Sequence, residues 1–450
     1  MTMITKDWTQ GSILKNLFGL SWPMALTEGF GSLVMTVDLI WVGRLGSAAI
    51  ASAGVGGMVS MLVMGANVGL IMGVRAIVAR FVGARDISSA NHAATQALVI
   101  AVVFGLVAVL AGVTLAESVM NLFGLEPQVV SEGVTYVRIT LAGALAFSLR
   151  VAADNIMQAS GDTLTPMKIT ILTRSIHLLL APAIILGWWV FPQMGVTGAA
   201  LINVFTHTFA MAIGLWVLIT GRSRLRLNLK NFRIDMNIIR RMVKIGMPAS
   251  IMNIQRSLGY LVLAWLMVPF GTFAVAGHSL IQRIDMLIIL PTWAIGSSAG
   301  VLVGQNLGAQ QVQRAVRSVW LASAAISVVM IAVTTVILLW AEGIVGIFNN
   351  EPGLMDIAST FLRIAAAGYL LMALTVVLQQ ALSGAGDTMP AMLISLMMIW
   401  VVQLPLAYFL PRLTDFGVYG VRWALVIGIF AGAVAYIVYF HIGRWKRKMV

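Results

Sequence analysis

Long apolar stretches alternate with short polar connections along this chain, and the alternation runs from Ile13 to Tyr439. A bilayer's hydrocarbon core needs about 20 consecutive apolar residues for each helical crossing. Windows of that length predict spans near 16–42, 52–78, 89–113, 131–158, 167–190 and 196–219, and a second set near 245–269, 278–302, 315–339, 356–382, 392–410 and 418–441. The expected fold is therefore all-α and membrane-integral, with twelve transmembrane helices. An even number of crossings returns the chain to its starting side. The first span is too long, and too poor in small residues at a cleavage point, for a removable signal peptide.

A self-match divides the pattern in two. At an offset of 225 residues, Pro23 meets Pro248, Gly46 meets Gly271, Gly83-Ala84 meets Gly308-Ala309, Glu126-Pro127 meets Glu351-Pro352, Arg138-Ile139 meets Arg363-Ile364, and Gly161-Asp162-Thr163 meets Gly386-Asp387-Thr388. The offset then slips slightly, so that Pro166 falls on Pro390 and Gly195-Val196 on Gly417-Val418. So many matches in one register imply two homologous six-helix lobes. Their expected bounds are 1–220 and 243–450, joined by a basic linker at 221–242. Six is even, so both lobes enter the membrane from one side, and the relating pseudo-two-fold axis is expected along the membrane normal.

Charge changes this picture only by orienting it. Of 450 residues 60% are apolar and 10% charged, which leaves no room for a large soluble catalytic domain. The net charge of +13 is concentrated in alternate connections: Arg222, Arg224, Arg226, Lys230, Arg233, Arg240, Arg241 and Lys244 in the linker, and Arg444, Lys446, Arg447 and Lys448 at the end. By the positive-inside rule these segments and both termini are cytoplasmic, with the protein in the inner (plasma) membrane. Nucleic acid is not expected as a partner, because the basic clusters lack base-stacking aromatics on a soluble face. With no cysteine, disulfides and thiolate metal sites are excluded. The phosphate-binding glycine loops and the His-Glu-x-x-His motif are also absent, which argues against ATP-driven transport and metalloprotease chemistry.

Three motifs carry a family likeness. Val37-Asp38-x-x-Trp41-Val42-x-x-Leu45-Gly46 ends the first span, Ser160-Gly161-Asp162-Thr163-x-Thr165-Pro166 opens the fifth, and Val303-Gly304-Gln305-Asn306-Leu307-Gly308-Ala309 closes the eighth. Together with the two lobes and the long linker they resemble the multidrug and toxic compound extrusion (MATE) transporters, and look more like the DinF-type and archaeal branch than the NorM-type branch. The resemblance implies a secondary antiporter that exports organic, often cationic, compounds against an inward flow of protons or sodium ions. Asp38 matches the family's coupling aspartate. In sodium-binding relatives the fifth-span turn resembles Asn-x-x-x-Asp-Pro, whereas this chain has His177 and Ala181 before Pro182. Arg256 stands where NorM-type relatives carry a glutamate.

The residues themselves bear on the same question. Of sixteen acids, only Glu28, Asp38, Asp154 and Asp285 fall well inside spans, where each costs about 2.5–3.5 kcal/mol at a helix centre. Such groups persist when they pair, line water or bind something. Asp38 is read as the ion-coupling residue, with His177 and Asn203 beside it; the alternative is a hydrated carboxylate near the helix end. The resemblance to sodium-binding relatives implies that two oxygen ligands for a hard ion such as Na⁺ are replaced here, so protons are the expected coupling ion. Glu28, Asp154, Asn155, Arg256 and Asp285 are the candidates for contact with substrate. Arg150 and Asp154, four residues apart, can also form a purely structural pair, and Arg256 can be neutralised by Asp285.

The expected function is thus a secondary active antiporter that exports small amphiphilic, mostly cationic, compounds in exchange for protons by alternating access. It needs no cofactor or metal, works as a monomer and has membrane lipid as its surroundings. The alternatives are a flippase for lipid-linked intermediates and a sodium-coupled exporter. A membrane-embedded enzyme is disfavoured, since the few intramembrane acids are spread over different helices.

Overall fold

A computed structural model describes residues 6–189, 191–228, 232–349 and 351–448; Lys230 of the basic linker lies outside the described residues. Among the described residues every regular element is helical. The first half contains α1 (Ile13–Gly43), α2 (Ser47–Gly83), α3 (Ile87–Asn121), α4 (Pro127–Ala142), α5 (Ala144–Ser160), α6 (Leu164–Leu186) and α7 (Gly195–Thr220). The second contains α8 (Met236–Met267), α9 (Thr272–Gly308), α10 (Val312–Gly346), α11 (Pro352–Gly384), α12 (Thr388–Leu396), a π-helical stretch (Met397–Gln403), α13 (Leu404–Leu413) and α14 (Val418–Ile442).

Among the described residues eleven continuous helical segments are long and apolar enough to cross a membrane, and the pair α4–α5, bent by 45°, makes a twelfth when taken as one span. The bend sits at Gly143, where Val204 of α7 leaves no space for a Cβ. The homologous span of the other half, α11, runs unbroken through Gly368. Proline distorts the fifth span of each half differently. Pro182 lies inside α6, while Pro405 follows the π-helical stretch. A proline cannot donate its backbone hydrogen bond, and a widened turn is one way to absorb that loss.

Most helices extend several residues beyond the predicted spans. Apolar windows mark only the part of a helix that needs lipid, whereas capped polar turns continue it. Asp86, for instance, accepts from the Ser89 amide and starts α3. The Ser89 side chain, and after it the Ser89 amide, hold the Asp86 carboxyl below the usual carboxylate range. Met236 to Met242, expected in the linker, are already part of α8.

The contacts divide the chain into two compact units. One joins the segment ending at Trp8 to Trp22–Ser250; the other joins Thr9–Ser21 to Ile251–Val450. Helices α1 and α8 therefore each contribute residues to both units. In the first unit, the start of α8 lies against α2 where Gly69 and Gly73, four residues apart, meet the backbone of Ser250 and Met242. The Ser250 hydroxyl donates to Ala66 O at 2.7 Å. Such small-residue contacts let helices approach in a membrane, where the hydrophobic effect does not drive them together.

The repeat extends to details. Arg138 bridges Glu117 at 3.3 Å, and Arg363 bridges Glu342 at 3.0 Å, both members shifted by 225 residues. Gly161 and Gly386 both take positive φ, as their motif turns require. Asp162 accepts from Ser223 Oγ at 2.8 Å, whereas Asp387 accepts from Tyr439 Oη at 2.6 Å and pairs with Lys448 at 3.0 Å.

The described residues of the linker are packed rather than loose. Leu225 and Leu227 are buried, and Arg224 donates to Ser160 O and Lys6 O, each at 3.1 Å. Asp235 accepts from the Ile238 and Asn237 amides at the start of α8 and faces His92 at 3.3 Å; these interactions hold its carboxyl below the usual range, the Ile238 amide most.

Candidate functional site

The first unit brings Asp38, His177 and Asn203 together from α1, α6 and α7. Small residues make the approach possible. Ala181 of α6 and Ala199 of α7 are buried in an apolar cluster with Val42, Ile185, Val196 and Ile202, against which Trp41 and Tyr136 pack. The end of α1 is further fixed by Trp41, which meets the Trp188 ring edge-on at 5.6 Å and carries the Arg44 guanidinium over its face at 4.6 Å.

Above this cluster, Asp38 faces two nitrogen groups. His177 Nε2 lies 2.8 Å from Asp38 Oδ1, and Asn203 Nδ2 donates to Asp38 Oδ2 at 3.2 Å. The His177 side chain is 0% exposed and that of Asp38 16%, so the imidazole is buried and the carboxylate only partly so. The other ring nitrogen, His177 Nδ1, is 3.4 Å from Thr206 Oγ1. Thr206 in turn lies within hydrogen-bond distance of Ile202 O and Asn203 O, at 2.9 and 3.0 Å. Residues 139 and 165 positions away from Asp38 thus meet on one carboxyl group.

The remaining first-half candidates form a neighbouring charged group. Arg150 Nη1 bridges Asp154 Oδ2 at 2.8 Å within α5. Asn155 instead turns its amide to Val151 O at 2.9 Å, so its nitrogen serves its own helix. Glu28 is exposed in the middle of α1 and, among the described residues, has no hydrogen-bond partner; its electrostatic neighbours are Arg150 and Asp154. Thr27, a possible partner of Glu28, donates to Pro23 O at 2.9 Å.

Three participants escape the sequence reading. Thr206 lies three residues after Asn203, and Arg174 three before His177, so each shares a helical face with a recognised residue. Arg174 is an electrostatic neighbour of Asp38, Asp154 and Arg150. Tyr136 of α4 is a neighbour of Asp38 that no spacing points to.

In the second unit the expected Arg256–Asp285 pair does not form. Arg256 Nη2 donates to Gln379 Oε1 at 3.3 Å and its guanidinium lies over the Trp293 ring at 5.1 Å. Asp285 instead accepts from Tyr369 Oη at 2.5 Å, with Arg422 Nη1 at 3.8 Å. Arg422, 137 residues further along the chain than Asp285, was beyond the reach of helical spacing. Among the described residues no group of three or more His, Cys, Asp or Glu side chains is arranged to hold a metal.

The comparisons with known proteins agree with this architecture. The family model MatE matches residues 23–183 and 248–409, one match in each half. A probable multidrug resistance protein, NorM of Thermotoga maritima, is 26% identical over 97% of this chain and 94% of its own length. The probable multidrug resistance protein NorM of Bradyrhizobium diazoefficiens is also 26% identical, over 94% and 92%. Among solved structures, a MATE in complex with MaL6 has a TM-score of 0.93 at 22% identity, covering 100% of both chains. A transporter of the MOP superfamily from Pyrococcus furiosus, described as having a binding pocket of reverse polarity, has a TM-score of 0.92 at 22% identity over 100% and 99%. With its two six-helix lobes and a family match in each, this chain belongs to the MATE family: it is a multi-pass membrane transporter of the multidrug efflux type, and not an enzyme.

Proposed function

We propose that the protein is a proton-coupled antiporter that exports small amphiphilic cations by alternating access, with Asp38, His177 and Asn203 as its coupling group. The observation that carries the reading is the surroundings of Asp38. Both of its oxygens face nitrogen groups, His177 Nε2 at 2.8 Å and Asn203 Nδ2 at 3.2 Å, whereas a hard cation needs several oxygen ligands at once. The Thr206 hydroxyl suits a histidine that changes charge. It can donate to the Nδ1 of a neutral ring, or accept from a protonated ring while donating to Ile202 O or Asn203 O. Both charge states of His177 can then be hydrogen-bonded without moving a helix.

Substrate recognition is assigned in the first unit to Glu28, Asp154 and Asn155, and in the second unit to Arg256 and Asp285. An acid exposed in mid-span faces either lipid or water, and a carboxylate is not kept against lipid, so Glu28 is read as lining a water-filled path. The Val37-Asp38-x-x-Trp41 setting, together with Arg256 in place of a glutamate, supports the DinF-type and archaeal branch. The protein is assigned to the plasma (inner) membrane as a monomer, with lobes at 1–220 and 243–450, a linker at 221–242, and both termini and the linker cytoplasmic.

Reconstitution into liposomes with imposed gradients tests the reading, using tetraphenylphosphonium as the substrate probe. Export should persist in sodium-free medium and collapse with a protonophore. Sodium-dependent export that ignores the protonophore would overturn proton coupling. Unchanged drug sensitivity across a broad panel in overproducing cells would favour a dedicated metabolite or a lipid-linked substrate.

A further inference from the structure

Equivalent positions of the two halves carry different charges in mid-span. At the 225 offset Glu28 falls on Asn253, Gly31 on Arg256, Arg150 on Thr375 and Asp154 on Gln379. Two acids are thus replaced by amides, and a glycine by an arginine. Arg256 lies within α8, near the middle of the span predicted at 245–269. A cation at that depth is costly and is kept when it pairs, lines water or binds something.

Arg256 has no acid to pair with. Arg150 meets Asp154 at 2.8 Å and Arg422 faces Asp285 at 3.8 Å, whereas among the described residues no carboxylate forms an ion pair with Arg256. Its hydrogen bond from Nη2 to Gln379 Oε1, at 3.3 Å, engages one of five guanidinium N–H donors and leaves the charge in place. Gln379 is itself oriented, because its Nε2 donates to Met252 Sδ at 3.2 Å and turns the amide oxygen to the arginine. The Trp293 ring, 5.1 Å away, attracts the cation without neutralising it. Arg256 is only half-buried, and a guanidinium is not kept against lipid, so its open side is read as facing water. The preceding residue holds the helix in this orientation: Gln255 is buried, donates to Ser395 Oγ at 2.6 Å and accepts from Trp400 Nε1 at 3.0 Å.

We propose that Arg256 recognises a carboxylate or similar oxyanion on the exported compound, with the Trp293 ring beside it as a surface for an aromatic body. The inference deepens the export reading, on which it rests for transport: the compounds carry an anionic group as well as the amine assigned to Glu28. A planar guanidinium fork meets a carboxylate through two parallel N–H donors, and so discriminates it from an uncharged ester. The charge of Arg256 is then balanced by the substrate rather than by a resident acid. An acid in place of Gln379, as at Asp154 of the first lobe, would occupy the same fork.

Rhodamine B, an amphiphilic dye with a free carboxylate, and its methyl ester form a probe pair that differs at that group alone. Equilibrium binding to the full chain in detergent, followed by fluorescence anisotropy without any ion gradient, should show the acid bound about tenfold more tightly than the ester, the scale of one charge-assisted hydrogen bond. Arg256→Gln should abolish the preference, and Arg256→Lys should retain part of it, since an ammonium keeps the charge but not the fork. Binding of neither dye, an ester bound as tightly as the acid by the wild type, or a preference that survives Arg256→Gln would overturn the proposal. Gln379→Glu gives an independent reading if Arg256→Gln fails to fold: the new carboxylate should occupy the guanidinium, as Asp154 occupies Arg150, and reduce the preference. An undiminished preference again overturns the assignment. Because binding is read without a gradient, a failure of both dyes to be exported from liposomes would count against the transport reading alone, and the binding preference would still decide the role of Arg256.

Discussion

The two lobes share a pattern but spend their intramembrane charges differently. In the first, Asp38 is closed in by His177 and Asn203, and Arg150 closes on Asp154 at 2.8 Å. In the second, the position of Asp154 is taken by Gln379, which accepts from Arg256, and the only acid well inside a span is Asp285, with Arg422 held 3.8 Å away. Structural pairs outside the sites repeat faithfully, as with Arg138–Glu117 and Arg363–Glu342. Duplication thus preserved the scaffold while the buried polar residues diverged. A buried charge is expensive unless satisfied, so each lobe needed its own set of partners.

The largest expected effect separates the lobes most clearly. Asp38→Asn preserves size and hydrogen bonding but removes the titratable group, so pH-driven export in liposomes should fall to background while expression and insertion stay near normal. Full export by this variant would move coupling to Glu28 or Asp154, or into the second lobe. His177→Gln comes next. It leaves a donor near Asp38 but removes a charge-assisted hydrogen bond of about 1.5–3 kcal/mol, which corresponds to a roughly ten- to hundredfold loss of export rate. If the rate were unaffected, the imidazole would be structural.

A packing difference gives a third test. A Cβ at Gly384 would lie 2.1 Å from Gly300 O, while the first-lobe equivalents by the 225 offset are Ala159 and Arg75. Gly384→Ala should therefore destabilise by about 1–3 kcal/mol in thermal unfolding, through overpacking. Ala159→Gly in the other lobe should cost about 1 kcal/mol, from helix propensity. Equal effects would mean that the two helix crossings are alike after all.

The smallest effects concern exposed charges. Glu117→Gln and Glu342→Gln should each change stability by less than about 1 kcal/mol, and by similar amounts, because both bridges face solvent. Asp235 is held in its ionised form by the amides at the start of α8. A carboxyl group depressed on folding stabilises above its unfolded titration range, and that contribution is lost as pH falls through its folded value. Hydrogen exchange at Asn237 and Ile238, corrected for intrinsic rate, should therefore rise in acid, and Asp235→Ala should raise it already at neutral pH.

Several of these features were legible in the sequence because they are local or periodic. Apolar windows located all twelve crossings, since each helix must individually satisfy the thickness of the bilayer. The 225-residue offset identified two lobes, and the family resemblance pointed to Asp38, His177 and Asn203, which meet on one carboxyl group. What spacing could not supply was the choice of partner between distant helices. In the second lobe Arg256 and Asp285 are an intramembrane cation and acid on neighbouring spans, yet tertiary packing gives Arg256 to Gln379 and Trp293, and gives Asp285 to Tyr369 and Arg422. Likewise, helical spacing put Thr206 and Arg174 on faces shared with Asn203 and His177, but nothing local marked Tyr136. The sequence alone determined which segments enter the membrane and which charges they carry, because those follow from hydropathy summed along one helix. Only the tertiary structure decided which charge meets which, because that depends on how helices rotate and approach, and small residues such as Ala181, Ala199 and Gly384 set those approaches one contact at a time.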